Sequence, residues 1–306
     1  MNESLIGKVL ERHQLHEIVR VFFQQLNTNE LTTVLSYVFA IHASTIEPAM
    51  LRNAMTTDRF VKPSTVSPRS FHQFEGFAFD LLPKDYELVE LSPLAPLGTV
   101  STIAAVDPGL VMNTIRSQDV LSDCTNVLAL IAATRRHELS GKERYEMNFC
   151  ASHRLIRTQF PLHEKHTAHF KILTLVSAGR DSGGFTFEMR RLSEHINYYI
   201  DLIRCFRSEV AIEIILKEYL DTGIEWGAWK SMVELKHVSV THQRITREKW
   251  NYYSPFQFNI NIRTGDETFN LADGGIVDWT QKLLSDKKER LLISGFGTEL
   301  FCKSFM

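Results

Sequence analysis

Ten residues, VKPSTVSPRS at 61–70, divide this chain into two textures that no single layer of structure can share. Proline fixes its own φ and removes a backbone donor, so this Pro/Ser-rich stretch is predicted to be a linker. Before it, Leu5, Val9, Leu10, Ile18, Val19, Phe22, Phe23 and Leu26 recur at helical spacing. Asn27-Thr28-Asn29 interrupts that pattern and offers a cap for a second helix through Leu31, Leu35, Val38 and Phe39. A third helix is predicted from Glu47 to Met55. Residues 1–62 are therefore expected to form an N-terminal helical segment, and 63–306 a separate core.

After the linker, strand patterns dominate. Ser70 followed by Gln73 suggests a capping box for a helix through Phe71, Phe74, Phe77 and Phe79. DYELVELSP, VSTIAAV and LVMNTI read as strands from alternation and β-branched content. DCTNVLALIAATRRHE reads as a helix with Asp123 at its cap. Strands are predicted at 145–159 and 169–178, a helix from Phe187, and further helix over 205–230. Residues 231–297 are strand-rich, and Gly295-Phe296-Gly297 leads into a terminal helix. Strands with interspersed helices and hairpins give an α+β class, a largely antiparallel sheet flanked by helices.

Bulk properties exclude some functions. The net charge of -2 gives no global basic field for nucleic acid. The clusters Arg135-Arg136 and Lys287-Lys288 read as solvated surface. Cys124, Cys150, Cys205 and Cys302 form no CxxC pair. The N-terminus lacks the apolar stretch of a secretory signal, and no run approaches a membrane span. A cytoplasmic protein with reduced thiols is the expectation. His163, His166 and His169 lack the HExxH spacing and read as solvated loop residues rather than a metal site.

Six stretches follow one another in a particular order: the helix from Ser70 with a strand to Pro93, then LSDCTNVLALIAA, then HRLIRTQFPLHEKHTAHFKILTLVSAGRDSGGFTFE, then NYYSPFQF, DGGIVDW and RLLISGFG. In that order they resemble the catalytic core of class II aminoacyl-tRNA synthetases. The nearest likeness is to the histidyl-tRNA synthetase branch, which includes the regulatory subunit of ATP phosphoribosyltransferase. The first stretch is similar to motif 1, the family's dimer seam, implying a homodimer through residues 70–97. The second places Asp123 and Thr125 at the amino-acid pocket. The third is similar to motif 2: Arg157 takes the place of the arginine that holds the α-phosphate and carboxylate, Gln159 that of a glutamate, and Phe170 that of the adenine platform. Tyr252 and Tyr253 match a tyrosine pair, Gly274, Gly275 and Asp278 a Gly-Gly strand, and Gly295 and Gly297 motif 3.

The residues also depart from that pattern. Glu299 stands where motif 3 has an arginine that holds ATP. A carboxylate there repels a triphosphate, the more so in a partly desolvated site. His163, Lys165 and His166 replace loop arginines, and Ile276 replaces the arginine of the Gly-Gly strand. Ile172 and Val176 fall near the positions that read histidine, so a histidine-reading site is not implied; Arg247 lies one residue out of register for the histidine-pocket arginine. The chain ends soon after Gly297, so an anticodon-binding domain, and with it tRNA, is not expected. On their own chemistry, Phe170 reads as core rather than adenine platform, and only the motif order brings the two readings level; Gly274-Gly275 suit close backbone approach, and at most one of Tyr252 and Tyr253 faces a given side of a strand.

The resemblance and its departures imply a regulatory or accessory subunit that binds an amino acid or nucleotide, alongside a protein partner enzyme. A second reading is a ligase that adenylates a carboxylate for a non-tRNA acceptor, using ATP and Mg²⁺ with Arg157 catalytic. A third is a scaffold without catalysis.

Overall fold

The computed structural model describes residues 3–139, 145–159, 167–233, 237–245, 252–265 and 267–306. The N-terminal segment is four helices, α1 Glu3–His13, α2 His16–Gln24, α3 Thr28–Ser44 and α4 Pro48–Thr57. The spacing from Leu5 to Leu26 predicts one helix, but Gln14 takes a left-handed φ of 54° and splits it. Asn27 caps α3 reciprocally: its side chain accepts from the N–H of Asn29 and Glu30, and its own N–H donates to the Glu30 carboxylate. None of the residues of α2, α3 and α4 is buried, and Phe23, Tyr37, Val38 and Phe39 stand exposed. Among the described residues no single helix is long and apolar enough to cross a membrane.

The core opens with α5 Pro68–Asp80. Its start corrects the Ser70–Gln73 box: Pro68 begins the helix and Ser67 caps it, accepting from the Arg69 N–H. Phe71, Phe74 and Ala78 turn inward, while Phe77 is exposed. Only Tyr86–Leu88 of DYELVELSP becomes strand β1; β2 is Leu94–Pro96. VSTIAAV is not a strand but the helix α6, Thr99–Ala104, because Gly98 at φ 81° turns the chain and Thr99 donates back to the Pro96 carbonyl. LVMNTI is also not a strand. A 3-10 turn at Pro108–Leu110 precedes it, and a single bridge joins Asn113 to Asp119 of β3, Gln118–Val120. Then come α7 Cys124–Glu138, β4 Glu146–Ile156, β5 His169–Arg180 and α8 Thr186–Phe206.

The helix expected over 205–230 is largely wrong. Ala211–Glu218 forms β6, burying Ile212, Ile214, Leu216 and Glu218 in strict alternation, and α9 starts only at Trp226–Val233. A period of two decides for strand over the helix-forming composition. The rest is β7 Val238–Arg244, β8 Phe256–Thr264, β9 Glu267–Val277, α10 Trp279–Leu284, β10 Glu289–Phe296 and α11 Thr298–Phe305.

Among the described residues, eight strands make one sheet in the order β1-β4-β5-β10-β9-β8-β6-β7, with β2 and β3 a separate ribbon. The pairs β1–β4 and β6–β7 at the two ends are parallel, and the others are antiparallel. One face carries α5, α8 and α11 over Phe74, Leu192, Tyr199, Phe258, Phe296 and Phe301. Phe74 stacks on Phe296 at 5.6 Å, and each such fully buried ring contributes about 1.5–3 kcal/mol. The other face carries α6, α7 and α10 over Leu121, Leu128, Val176, Trp279 and Ile293. Arg136 of α7 is buried there, which corrects its surface assignment. It joins Arg180 and the Tyr145 hydroxyl around the Glu289 carboxylate, while Arg135 stays outside, paired with Glu87.

Candidate functional site

Strand register builds the floor of a cleft on the α6–α7 face. Gly295 of β10 and Asp273 of β9 are cross-strand partners on this floor, flanked in register by Thr174 of β5 and Asn259 of β8. Alternation sends every second residue of each strand to this face. The cleft encloses about 520 Å³, in the range of small-ligand sites. Its lining includes Asp123, Arg157, Gln159, Phe170, Tyr252, Gly295 and Gly297. Segments from the middle and the tail of the chain thus meet in one cavity, as the motif order implies.

Arg157 follows the end of β4. Its Nε donates to the Ser122 carbonyl at 3.4 Å, its Nη2 lies 4.0 Å from Asp123 Oδ2, and its guanidinium sits over Phe170 at 5.2 Å. Phe170 therefore supports the arginine in a cation–π contact. Asp123 caps α7, its Oδ1 accepting from the N–H and hydroxyl of Thr125. That leaves Oδ2 toward the cavity.

Thr125, Tyr253, Gly274 and Gly275 do not line the cleft. Thr125 is buried and spends its hydroxyl on Asp123. Tyr253 is buried behind Tyr252, ring centroids 4.5 Å apart, and donates to Asp273 Oδ2 at 3.0 Å. Gly274 and Gly275 serve packing. A Cβ on either would come within 2.5 Å of a neighbouring carbonyl, Ile293 O and Phe256 O respectively. Asp278 sits at the start of α10, paired with Lys282 and outside the cavity.

Sequence reasoning missed Asp273, which stands on the floor beside Gly295. The signal was present: Asp273, Gly275 and Val277 share one face of an alternating strand, so the acid before the glycine pair, not Asp278, faces the ligand side. Burial holds the Asp273 carboxyl above its ordinary range, against the Tyr253 hydrogen bond and Arg157. Burial, then the charges of Asp123 and Asp273, raises the Tyr252 phenol. Ser122 Oγ and Asn126 Oδ1, both buried and both on the lining, have no hydrogen-bond partner among the described residues. Orphaned buried acceptors are costly, and a ligand donor would relieve them.

The tail of the cleft differs in kind. Glu299 faces the cavity but is nearly covered, at 6% exposure. Its Oε1 accepts from Ser64 Oγ at 2.5 Å, and its Oε2 from Arg154 at 2.8 Å and the Lys171 N–H at 3.0 Å. The linker thereby reaches the position of the absent arginine. His169, read from sequence as a solvated loop residue, bonds Arg154 through Nδ1 and the Lys62 carbonyl through Nε2. His163, Lys165, His166 and Arg247 lie outside the described residues.

Solved structures give the same architecture. S. aureus histidyl-tRNA synthetase superposes with a TM-score of 0.57 at 10% identity, over 79% of this chain and 68% of that one. This protein has a class II synthetase-like fold. An ATP phosphoribosyltransferase regulatory subunit/histidyl-tRNA synthetase from Bacillus halodurans gives 0.55 at 12% identity, over 80% and 83% of the two chains. Histidyl-tRNA synthetase from a Nostoc species gives 0.53 at 9% identity, over 79% and 75%. No family model and no curated protein matches the chain. At such identities the likeness carries the synthetase-like fold, and the cleft's chemistry has to be argued from its own side chains.

Proposed function

We propose that this class II synthetase-like protein binds a free amino acid in the cleft and serves as a regulatory or accessory subunit of another enzyme. The observation that carries this reading is the charge of the lining. Among the described residues it holds three carboxylates, Asp123, Asp273 and Glu299, against two bases, Arg157 and Lys171. Lys171 Nζ is already paired with Glu75. Arg157 is thus the base placed for a ligand carboxylate, and its planar donors suit one. Asp123, Asp273, Asn126 Oδ1 and Ser122 Oγ supply acceptors for an ammonium, which has three donors and no acceptor.

ATP with Mg²⁺, which the fold generally takes, fits these residues poorly at the tail of the cleft. A triphosphate there would meet Glu299, a carboxylate committed to Ser64, Arg154 and Lys171. The regulatory name of the Bacillus halodurans structure supports the accessory role by likeness of fold alone. Arg157 over Phe170 favours the second reading, a carboxylate-adenylating ligase with a non-tRNA acceptor.

The two separate by assay. On the proposed reading, an amino acid raises the melting temperature by binding the native state, and labelled pyrophosphate does not exchange into ATP. Arg157→Ala should weaken that amino acid about tenfold, which is about 1.4 kcal/mol for a half-exposed charge-assisted contact. Amino-acid-dependent exchange that Arg157→Ala abolishes would establish the ligase instead.

A further inference from the structure

We infer that the cleft selects amino acids with apolar side chains. This rests on the amino-acid reading above and adds the ligand's class. The polar lining groups that fit an amino acid's backbone are Arg157, Asp123, Asp273, Ser122 and Asn126. They come from the ends of β4 and α7 and from β9. The apolar contribution is from residues 99–111, the α6 helix and the 3-10 turn after it. Its lining residues are Val100, Ala104, Val106, Leu110 and Val111, every one apolar. Ile172 of β5 adds a further aliphatic surface at a position where the resemblance would have a histidine-reading group.

This wall is well fixed. Val100, Ala104 and Val111 are buried in the second core, with Val106 packed against it. Thr99 and Asp107, the polar residues of this stretch that cap its turns, are spent on the Pro96 carbonyl and the Gly109 N–H. An imidazole, amide or carboxylate pushed against the wall would lose water without gaining a partner there. A branched or straight aliphatic chain would lose nothing and bury its methylenes. A hydrophobic slot discriminates by methylene count, on the order of tenfold per group in well-fitted sites.

The test is a calorimetric titration of the full chain with L-leucine, L-norleucine, L-methionine, L-alanine, L-histidine and L-glutamate. The larger apolar amino acids should bind at least about tenfold tighter than alanine, and tighter than histidine or glutamate. Leu110→Ala, at a half-buried position, should cost leucine about fivefold and leave alanine unchanged. Histidine or glutamate binding as tightly as leucine would overturn the apolar specificity while keeping the amino-acid cleft. Equal losses for leucine and alanine in Leu110→Ala would likewise overturn the role of this wall. No heat with any amino acid at millimolar concentration would overturn the amino-acid reading and the specificity together.

Discussion

Replacing Gly274 by alanine separates packing from ligand binding at the glycine pair of β9. The added Cβ would lie 2.5 Å from Ile293 O, 2.5 Å from Ser294 Cβ and 2.7 Å from Phe258 Cε1. Non-bonded carbon contacts are comfortable near about 3.5–4.0 Å, so neighbours on both sides must retreat by about 1 Å. Two of the three atoms belong to β10, and Phe258 of β8 is fully buried, so the strain has no flexible outlet. Overpacking of this kind costs about 3 kcal/mol, the upper end of the usual range. For a core of this size each kcal/mol is worth about 2–4 °C, so the melting temperature should fall by about 6–12 °C. Gly295→Ala is the control. Its Cβ would meet Ile172 Cδ1 at 3.6 Å, an ordinary contact, yet it would project into the cleft lining. It should keep the melting temperature within about 2 °C and weaken the ligand. Scanning calorimetry with and without amino acid checks both. A Gly274→Ala protein of normal stability that had lost ligand binding would refute the argument, because the glycine would then face the ligand and not the neighbouring strands.

Two further outcomes follow from the core and the surface. His195 is wholly buried, between Ser294 Oγ at 2.8 Å and Ser177 Oγ at 3.0 Å, and burial lowers its pKa to about 3. Between that value and about 6.5 the unfolded chain binds the proton that the native state refuses, so its contribution is full above pH 6.5 and is lost as pH falls. Lowering the pH from 7 to 5 should cost about 2 kcal/mol through this group in urea titrations, and His195→Gln should flatten that part of the slope. If the chain pairs through 70–97, as the motif 1 likeness implies, the exposed Phe77, Leu81, Leu88, Leu94 and Leu97 would lie in the seam. Leu97→Glu should then turn a dimer into a monomer by light scattering, and a wild-type monomer would refute that seam.

Legibility from sequence varied with how local the signal was. The capped helices at Asn27 and Asp123 were readable because the cap lies within a few residues of what it caps. The strands of the motif 2 hairpin and the terminal strand were readable as long apolar runs. VSTIAAV misled because a β-branched segment has strand propensity, whereas Gly98 and the packing of α6 on α7 make it a helix. The stretch 205–230 misled in the opposite sense, its charged and aliphatic composition hiding a period of two. The order of motifs groups Arg157, Gln159, Phe170, Asp123, Tyr252, Gly295 and Gly297, and all of them lie along the lining of one cleft; their part in binding is the proposal made above. Asp273 is hidden in the sequence because the motif likeness points to the acid after the glycine pair and not to the one before it.

Composition, periodicity and motif order alone determined an α+β core behind a helical segment, and named the stretches that would have to converge. Tertiary structure decided what each convergent residue is free to do. Register put Asp273 beside Gly295, and close strand packing took Gly274 and Gly275 out of the site. Contacts from Ser64 and Arg154, 235 and 145 residues away along the chain, consumed the Glu299 carboxylate. A side chain's partners are set by distance in space, and a linear pattern carries that information only where neighbours in sequence are also neighbours in the fold.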